Sequence, residues 1–358
     1  YLPELKAFCG AEIVSHTLHN LYTLRGAKVR DALKWSGYID EAMRLFGDAE
    51  IYFGSHHWPL WGRERIVGFL QKQRDSYRFI HDQTLRLVSL GHTPQQIAEE
   101  LELPASLAGE FANRDYYGTV RHNAKAVYQF YFGWYDANPA HLDPLPPVEA
   151  AVRYVEFMGG GAAVLAKAQA SFDQGDYRWV AEVLNHLVFA EPDNGAAREL
   201  LARAYDQLGY QAESGPWRDA YLSGAWELRH GVPDGAGSAG RVLDLLRNTP
   251  TDRFLDTMAV MLDGARAAER HVVINLVLSD TGESHVLELE NGVLHHRREP
   301  PRAGADATIT VTRALFVDML TGQAGLRETL ESDALDVDGS RVALLRFFSL
   351  FDKPDPAF

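Results

Sequence analysis

Near the start of the chain, two short apolar runs flank one stretch in which hydrophobic residues have helical spacing. Residues 7–14 and 49–53 are apolar runs of the kind typical of β-strands. After Gly26, apolar side chains recur every three or four residues, at Val29, Ala32, Leu33, Ile39, Met43 and Phe46. The pattern predicts an α/β segment over residues 1–74, with helices at 27–46 and 63–73.

From residue 75 to 232 the pattern is helical throughout. Thr93, Pro94 and Gln96 have the order of an N-cap, a first helical position and a capping-box partner. Pro104 predicts the end of that helix.

A weak repeat lies later in the same region. Gly175 and Gly209 are separated by the tetratricopeptide period of about 34 residues, and Tyr177, Ala181 and Ala190 lie near the usual places of that motif. One unit and part of another are too few for a solenoid. We therefore predict an all-helical domain with a tetratricopeptide-like element.

A segment rich in Gly, Ser and Pro at residues 233–240 predicts a linker. Beyond it, residues 241–358 mix helical and alternating patterns, with helices predicted at 251–266 and 313–323. The Asn291-Gly292 pair predicts a hairpin turn between two strands. We expect an α+β domain whose strands and helices could enclose a lipid-sized pocket.

Composition and charge exclude several classes of protein. The 358 residues are 46% hydrophobic, which is enough for two or three domain cores. The net charge of −14 argues against nucleic-acid binding, because phosphate backbones require a broad basic surface. No apolar run approaches the ~20 residues that cross a bilayer. The single cysteine, Cys9, excludes an intrachain disulfide.

Candidate metal ligands cluster in the first segment. The stretch GSHHWPLWG, residues 54–62, follows the strand predicted at 49–53 and places two adjacent histidines on a loop. Imidazole and carboxylate groups are the ligands that zinc prefers, and loops at strand ends bring such ligands together. The candidates are Glu12, His16, His19, His56 and His57.

A rival arrangement uses only the first three of these candidates. Glu12, His16 and His19 are four and three residues apart, so a helix would place them on one face. Because the run at residues 9–14 resembles a strand, which would scatter them, we consider a self-contained site of this kind the weaker hypothesis.

Basic residues form a second candidate site. Arg25, Lys28 and Arg30 surround Gly26 at the start of the helix predicted at 27–46. Unpaired backbone N–H groups and the helix dipole favour an oxyanion at such a place. A solvated basic turn with Asp31 as partner explains the same pattern equally well.

Two further groups of residues are weaker candidates for a functional site. Tyr128, Tyr131 and Trp134 have the helical spacing of packing residues, although a phenol can be left facing a cleft. In the C-terminal region, the His295-His296 pair is predicted to lie on the surface.

Long stretches of the chain resemble one family. They are HNLYTLRGAKVRDALKWSGYIDEA, SHHWPLWG, IHDQTLRL, GTVRHNAKAV, NPAHLDPLPPVEAAVRYVEFMGGGAAVLAKA and GDYRWVAEVLNH. Together they are similar to the zinc-dependent alkyl sulfatases of the metallo-β-lactamase superfamily. The resemblance implies three parts: the C-terminal part of a metallo-β-lactamase-like catalytic domain at 1–74, a helical dimerisation domain at 75–232, and a sterol-carrier-protein-2-like α+β domain at 241–358.

One hallmark of that family is absent from this sequence. The metal motif His-x-His-x-Asp-His belongs to the first half of the lactamase domain, and no stretch here spells it. The resemblance therefore implies a catalytic site that is complete only with that N-terminal half. We expect the isolated fragment to be inactive, because two metal ligands do not hold a binuclear site.

The resemblance also implies roles for individual residues. Glu12 resembles the carboxylate that bridges the two metal ions, and His57, with His56 as the alternative, resembles the last histidine ligand. Arg30, with Arg25 as the fallback, resembles the sulfate-binding arginine, whose planar fork suits a tetrahedral oxyanion. The remaining matches are Tyr131 as a tentative sulfate-side phenol and His16, His19 and His122 as supporting residues.

The activity implied by the resemblance is hydrolysis of dodecyl-sulfate-like alkyl sulfate esters to alcohol and sulfate. Two zinc ions in the complete active site would activate a water molecule, which attacks the ester at either sulfur or carbon. Arg30 would neutralise the charge of the sulfate group. The C-terminal pocket would hold the aliphatic tail. We also expect a homodimer and, as for many family members, a bacterial periplasmic or secreted location.

Two alternatives stay open at this point. The chain could be a non-catalytic module that joins a dimerisation scaffold to a lipid-binding domain. It could also belong to a metallohydrolase of the same fold that acts on another ester, such as a phosphate monoester or a lactam.

Overall fold

The computed structural model describes residues 1–233, 245–325, 329 and 335–352. These residues form two compact units, Tyr1–Gly231 and Val232–Phe358. The linker predicted at 233–240 lies, apart from Pro233, outside the described residues.

A small sheet begins the first unit. Strand β1 (Ala7–Ala11) pairs in parallel with β2 (Ile51–Gly54), and β2 pairs antiparallel with β3 (Leu60–Trp61), in the order β1-β2-β3. Helix α1 (Ala32–Phe46) lies between the two parallel strands in the chain. Because parallel neighbours end at the same edge of a sheet, the loops after β1 and β2 are adjacent.

Helices form the rest of the first unit. In chain order they are α2 (Arg63–Ser89), α3 (Pro94–Glu100), α4 (Ala105–Ala108), α5 (Val120–Phe132), α6 (Pro147–Phe157), α7 (Gly161–Asp173), α8 (Tyr177–Ala190), α9 (Gly195–Gln211) and α10 (Gly215–His230). One core joins the sheet to α1, α2, α3 and α5, and a second core joins α6, α7, α8 and α9.

The long helix α2 differs most from its prediction. The sequence predicts a helix that ends at Gln73, whereas α2 continues to Ser89. Polar residues on its buried face, among them Gln73, Ser76 and Thr84, interrupt the apolar period that would have shown its length. The domain boundary predicted between residues 74 and 75 lies inside this helix.

The capping box predicted for α3 is confirmed. Thr93 accepts a hydrogen bond from the backbone N–H of Gln96, and the Gln96 side chain accepts one from the backbone N–H of Thr93, so the capping box of α3 is complete. The helix ends at Glu100, earlier than the predicted stop at Pro104. Helices α8, α9 and α10 follow one another through short turns, and each packs on the next.

The second unit is α+β, as predicted. Helices α11 (Thr251–Val260), α12 (Gly264–Ala267), α13 (Arg313–Leu320) and α14 (Arg341–Phe348) accompany strands β4 (Val272–Leu278), β5 (Glu283–Glu290), β6 (Val293–Arg297), β7 (Ala307–Val311) and β8 (Asp336–Gly339). The sheet order is β6-β5-β4-β7-β8, with β4 and β7 parallel and the other pairs antiparallel.

In this unit the predicted hairpin turn is present, and the helix predicted at 251–266 is divided in two. Asn291 and Gly292 both have positive φ, 51° and 72°, which is the geometry of a tight hairpin turn between β5 and β6. The helix predicted at 251–266 is divided at residues 261–263, where Asp263 caps the short helix α12. Among the described residues, no helix has both the length and the apolar character needed to cross a bilayer.

Candidate functional site

A carboxylate and two imidazoles meet where β1 and β2 end. Glu12 follows β1, and its Oε1 lies 3.1 Å from Nε2 of His56, which is on the loop after β2. The other oxygen of Glu12, Oε2, lies 3.8 Å from Nε2 of His19. We call Glu12, His19 and His56 the carboxylate–imidazole cluster. Glu12 and His56 are more than half exposed, so the cluster is open to one side.

His19 is held in one orientation within this cluster. Its Nδ1 lies 3.0 Å from the carbonyl oxygen of Asn20, and since a carbonyl only accepts, Nδ1–H is the donor. Nε2 then carries the lone pair and faces Glu12. Burial lowers the pKa of His19, which keeps the imidazole neutral at neutral pH. A neutral imidazole with an oriented lone pair can bind a metal ion or accept a proton.

The loop that carries His19 is rigid because distant residues hold its backbone. Asn123 on α5 donates from Nδ2 to the carbonyl oxygen of His19 at 2.9 Å and accepts from the backbone N–H of Leu21 at 2.9 Å. The backbone N–H of Gly118 donates to the carbonyl oxygen of Leu18 at 2.7 Å. The phenol of Tyr77 accepts from the backbone N–H of His19 at 2.9 Å.

Arg30 lies beside the cluster. Its Nη1 donates to the carbonyl oxygen of Asn20 at 2.7 Å, the same oxygen that accepts from His19. Within the described part of the chain, this carbonyl is the one hydrogen-bond acceptor of the Arg30 side chain, and its other N–H groups can bind an oxyanion. Arg25 and Lys28 are exposed on the loop before α1.

The oxyanion site predicted at a helix start needs a correction. Helix α1 begins at Ala32 rather than residue 27, and the Asp31 side chain accepts from the backbone N–H of Lys34 at 3.0 Å. Asp31 therefore caps this helix and places a carboxylate where the anion was expected. Any anion at Arg30 is bound by the guanidinium and not by the N-terminus of α1.

His57 lies against a separate aromatic group. It adopts a left-handed backbone conformation with φ of 68°. Nε2 of His57 lies 3.5 Å from the hydroxyl of Tyr116, and its ring centroid lies 5.9 Å from that of His16. Among the described contacts, Glu12 is bonded to His56 and not to His57.

His16 is a buried imidazole without hydrogen bonds. Neither of its ring nitrogens has a partner among the described residues. The ring stacks on Phe69 at 4.7 Å and on Trp58 at 5.6 Å. Burial lowers its pKa, with smaller effects from His57 and Arg65. His16 is thus a neutral side chain with two unused nitrogens next to His57.

The remaining predicted site residues make other contacts. Nε2–H of His122 donates to the carbonyl oxygen of Tyr22 at 2.6 Å, and its Nδ1 accepts from the indole N–H of Trp217 at 3.3 Å. His122 thus supports the loop before Arg30. The hydroxyl of Tyr131 bonds Nε2 of His81 at 2.9 Å, and no described contact joins Tyr131 to the cluster.

A cleft lies next to the loop that contains Arg30. It has a volume of about 950 Å³, and its walls include Tyr22, Lys28, Val29, His122 and Trp217. The cleft is open. Its lining is mostly apolar and includes two basic side chains, Lys28 and Lys125.

Sequence analysis missed the residues that position this site. Asn123, Gly118 and Tyr116 make their contacts with residues about a hundred positions away. The stretch GTVRHNAKAV was noted only for its resemblance to a family, and nothing in the local pattern of a single sequence shows such partners. A polar residue on the apolar face of a helix, such as Asn123, is the one feature of the sequence that indicates a buried hydrogen-bond partner elsewhere.

Comparisons with known proteins show the family to which the chain belongs. A family model described as alkyl sulfatase dimerisation matches residues 93–231, and one described as alkyl sulfatase C-terminal matches residues 241–358. The chain belongs to the alkyl sulfatase family. A linear primary-alkylsulfatase from Pseudomonas sp. is 46% identical over 99% of this chain and 53% of that protein.

Two more alkyl sulfatases cover the whole chain. An alkyl/aryl-sulfatase from Saccharomyces cerevisiae is 46% identical over 100% of this chain and 55% of its own length. The solved structure of a stereoselective inverting sec-alkylsulfatase from Pseudomonas sp. is 40% identical, covers 100% of this chain and 56% of that one, and has a TM-score of 0.92. The chain therefore spans about half the length of these relatives.

Proposed function

We propose that the protein containing this chain hydrolyses alkyl sulfate esters to an alcohol and sulfate. The observation that carries the proposal is the carboxylate–imidazole cluster with Arg30 beside it, in a chain of the alkyl sulfatase family. A metal-binding donor set and a guanidinium with free N–H groups are what cleavage of a sulfate ester requires.

The donor set of the cluster fits zinc. One carboxylate and two imidazoles converge at an open edge, and the Asn20 carbonyl already fixes His19 with a lone pair towards Glu12. We assign Glu12 and His56 as metal-holding residues and His19 as the adjacent imidazole. His57 and His16 are the second candidate pair of metal ligands. The other ligands of a two-zinc site would come from an N-terminal half that carries the His-x-His-x-Asp-His motif.

The residues of this chain have separate tasks in the proposed reaction. When bound, zinc activates water and stabilises negative charge on oxygen. Arg30 holds the sulfate group and neutralises its charge as the ester bond breaks. His19, neutral because of burial, is placed to accept or return a proton beside Glu12. The adjacent cleft, with its apolar walls, suits the alkyl carbons nearest to the sulfate group.

Assembly and location are also proposals. The dimerisation model that matches residues 93–231 supports a homodimer, which light scattering would detect as twice the protomer mass. A single protomer mass for the complete protein would contradict it. We propose a periplasmic or secreted location for the protein. We also propose that the C-terminal unit holds the alkyl tail, as a sterol-carrier-protein-2-like domain would. The isolated chain is proposed to be inactive.

The sulfate-binding role of Arg30 provides the test of this function. Sulfate release from dodecyl sulfate is measured with the complete protein, with its Arg30→Lys variant and with Arg25→Lys, which replaces the fallback arginine. We expect Arg30→Lys to lower kcat/KM about 100-fold, because a lysine lacks the planar fork that binds two sulfate oxygens. Equal activity of the two variants, or no hydrolysis by the unmodified protein, would refute the proposal.

A further inference from the structure

A second group of potential ligands lies in the C-terminal unit, in residues that the proposed hydrolysis does not use. Asp252 is on helix α11, His285 is on strand β5 and His296 is on strand β6. One ligand atom from each of these residues lies within 4.8 Å of the other two. We call these three residues the α11–sheet cluster.

The pairing of the strands explains why the two histidines meet. In the β5–β6 register, His296 lies opposite Leu287, two residues along β5 from His285. Side chains two residues apart on a strand point to the same face, so His285 and His296 are diagonal neighbours on one face of the sheet. The face is covered by α11, which contacts β6.

Helix α11 supplies the carboxylates. Asp252 and Asp256 are one helical turn apart and therefore share the side of the helix that faces these histidines. Oδ1 of Asp256 lies 2.8 Å from Nε2 of His296, and Oδ1 of Asp252 lies 3.6 Å from Nδ1 of His285. Asp252 and Asp256 are more than half exposed, so the cluster can be reached from solvent.

His285 is the unusual member of the cluster. Its side chain is 1% exposed, yet neither ring nitrogen has a hydrogen-bond partner among the described residues. Nδ1 faces Asp252 at 3.6 Å, and Nε2 faces Glu283 at 3.8 Å, both beyond hydrogen-bond distance. A buried imidazole between two carboxylates with both nitrogens unused is costly, unless a bound group satisfies it.

The supporting residues suit a metal site. Glu283 accepts a hydrogen bond from the Thr251 hydroxyl at 2.6 Å and pairs with Arg298 at 3.2 Å, which fixes its carboxylate beside Nε2 of His285. A metal ion on Nδ1 would leave Nε2–H to donate to Glu283. This carboxylate–histidine arrangement is the usual support of a zinc-bound imidazole.

We propose that Asp252, His285 and His296 bind one divalent transition-metal ion of the zinc type, with Asp256 holding the His296 ring in place. Two imidazoles with a carboxylate form a donor set that zinc accepts, and ligand atoms around a tetrahedral zinc are about 3.3 Å apart. The atoms of the cluster need only a small inward movement to reach that spacing. The ion would tie α11 to strands β5 and β6 and would have a structural role.

The experiment measures Co²⁺ binding by its visible absorption, which reports tetrahedral coordination. All proteins are chelator-treated and carry Glu12→Gln, which weakens metal binding at the carboxylate–imidazole cluster. Asp252→Asn and His296→Gln remove ligands whose side chains are at or near the surface, and His295→Gln removes the adjacent exposed histidine as a matched control. Circular dichroism shows that each variant is folded.

The expected result is one Co²⁺ per chain in the Glu12→Gln protein and in the His295→Gln control, with a rise in the midpoint of thermal unfolding. Asp252→Asn and His296→Gln should bind about 100-fold more weakly and lose that rise. The absence of stoichiometric binding, or equal binding by all four proteins, would overturn the proposal. Hydrolysis of sulfate esters does not enter this test, so its result is independent of the proposed function.

Discussion

At the residue scale, two adjacent histidines have different surroundings. His56 reaches the carboxylate of Glu12, whereas His57 turns through a positive φ towards Tyr116 and His16. The motif SHHWP identifies both as candidate ligands, but a single sequence does not show which of two neighbours adopts a left-handed conformation. On this ground we propose His56 as the ligand, the reverse of the order that the family resemblance implies.

Substitution of each histidine distinguishes the two candidates. We expect His56→Ala in the complete protein to lower dodecyl sulfate hydrolysis about 100-fold and to reduce zinc content, because it removes a metal ligand. His57→Ala is the matched control and should lower activity less than about tenfold. A larger loss of zinc and activity with His57→Ala would show that His57 is the ligand.

Burial of His122 predicts a dependence of stability on pH. Desolvation lowers the pKa of His122 below its ordinary value of 6.5, with Lys125 acting in the same direction. The unfolded state therefore binds more protons near that pH, so the free energy of unfolding should fall as the pH decreases below about 6.5.

Urea denaturation at pH values from about 7 to 5 measures this effect. His122→Gln should show a smaller decrease over that range than the unmodified chain, because the variant lacks the titrating group. A decrease of the same size in both proteins would mean that His122 does not carry the effect.

At the element scale, the site depends on close contact between the loop at residues 18–20 and the residues before α5. A Cβ at Gly118 would lie 2.5 Å from the carbonyl oxygen of Leu18 and 2.6 Å from the carbonyl carbon of His19. These are backbone atoms, and Asn123 holds the same loop from the other side. The loop therefore has little freedom to move.

Gly118→Ala should displace this loop and the His19 ring with it. We expect a loss of about 1–3 kcal/mol in the free energy of unfolding, as for other overpacked positions, and a lower hydrolysis rate in the complete protein. Gly37→Ala on α1 is the control, since a Cβ there meets no atom within 4 Å and alanine favours a helix. Equal stability of the two variants would contradict the close packing described.

Elements with a clear local signal were predictable from the sequence. The capping box at Thr93 and the Asn291-Gly292 turn both depend on neighbouring residues, and both were found. The length of α2 was missed because buried polar residues such as Gln73 interrupt its apolar pattern. The start of α1 was missed because Val29 extends the helical period past the true cap, Asp31.

The candidate site was predictable in part for a similar reason. Glu12, His19, His56 and Arg30 were all named from residue types and family resemblance, and the structure brings them together. Their partners, such as Asn123 and Gly118, act across about a hundred residues of sequence. Such contacts depend on tertiary packing, which no local period encodes.

At the scale of the whole molecule, the chain belongs to the alkyl sulfatase family. It spans about half the length of its relatives, and its carboxylate–imidazole cluster is open on one side. We therefore expect the catalytic site to be completed by the part of the protein that carries the His-x-His-x-Asp-His motif. The described residues already fix Glu12, His19, His56 and Arg30 in one place.

The most direct measurement is sulfate release from dodecyl sulfate by the complete zinc-loaded protein, by its Glu12→Gln variant and by the isolated 358-residue chain. The account predicts hydrolysis by the complete protein, a loss of at least about 100-fold with Glu12→Gln because a metal-holding carboxylate is removed, and no turnover by the isolated chain. Full activity of the Glu12→Gln variant, or hydrolysis by the isolated chain, would contradict it.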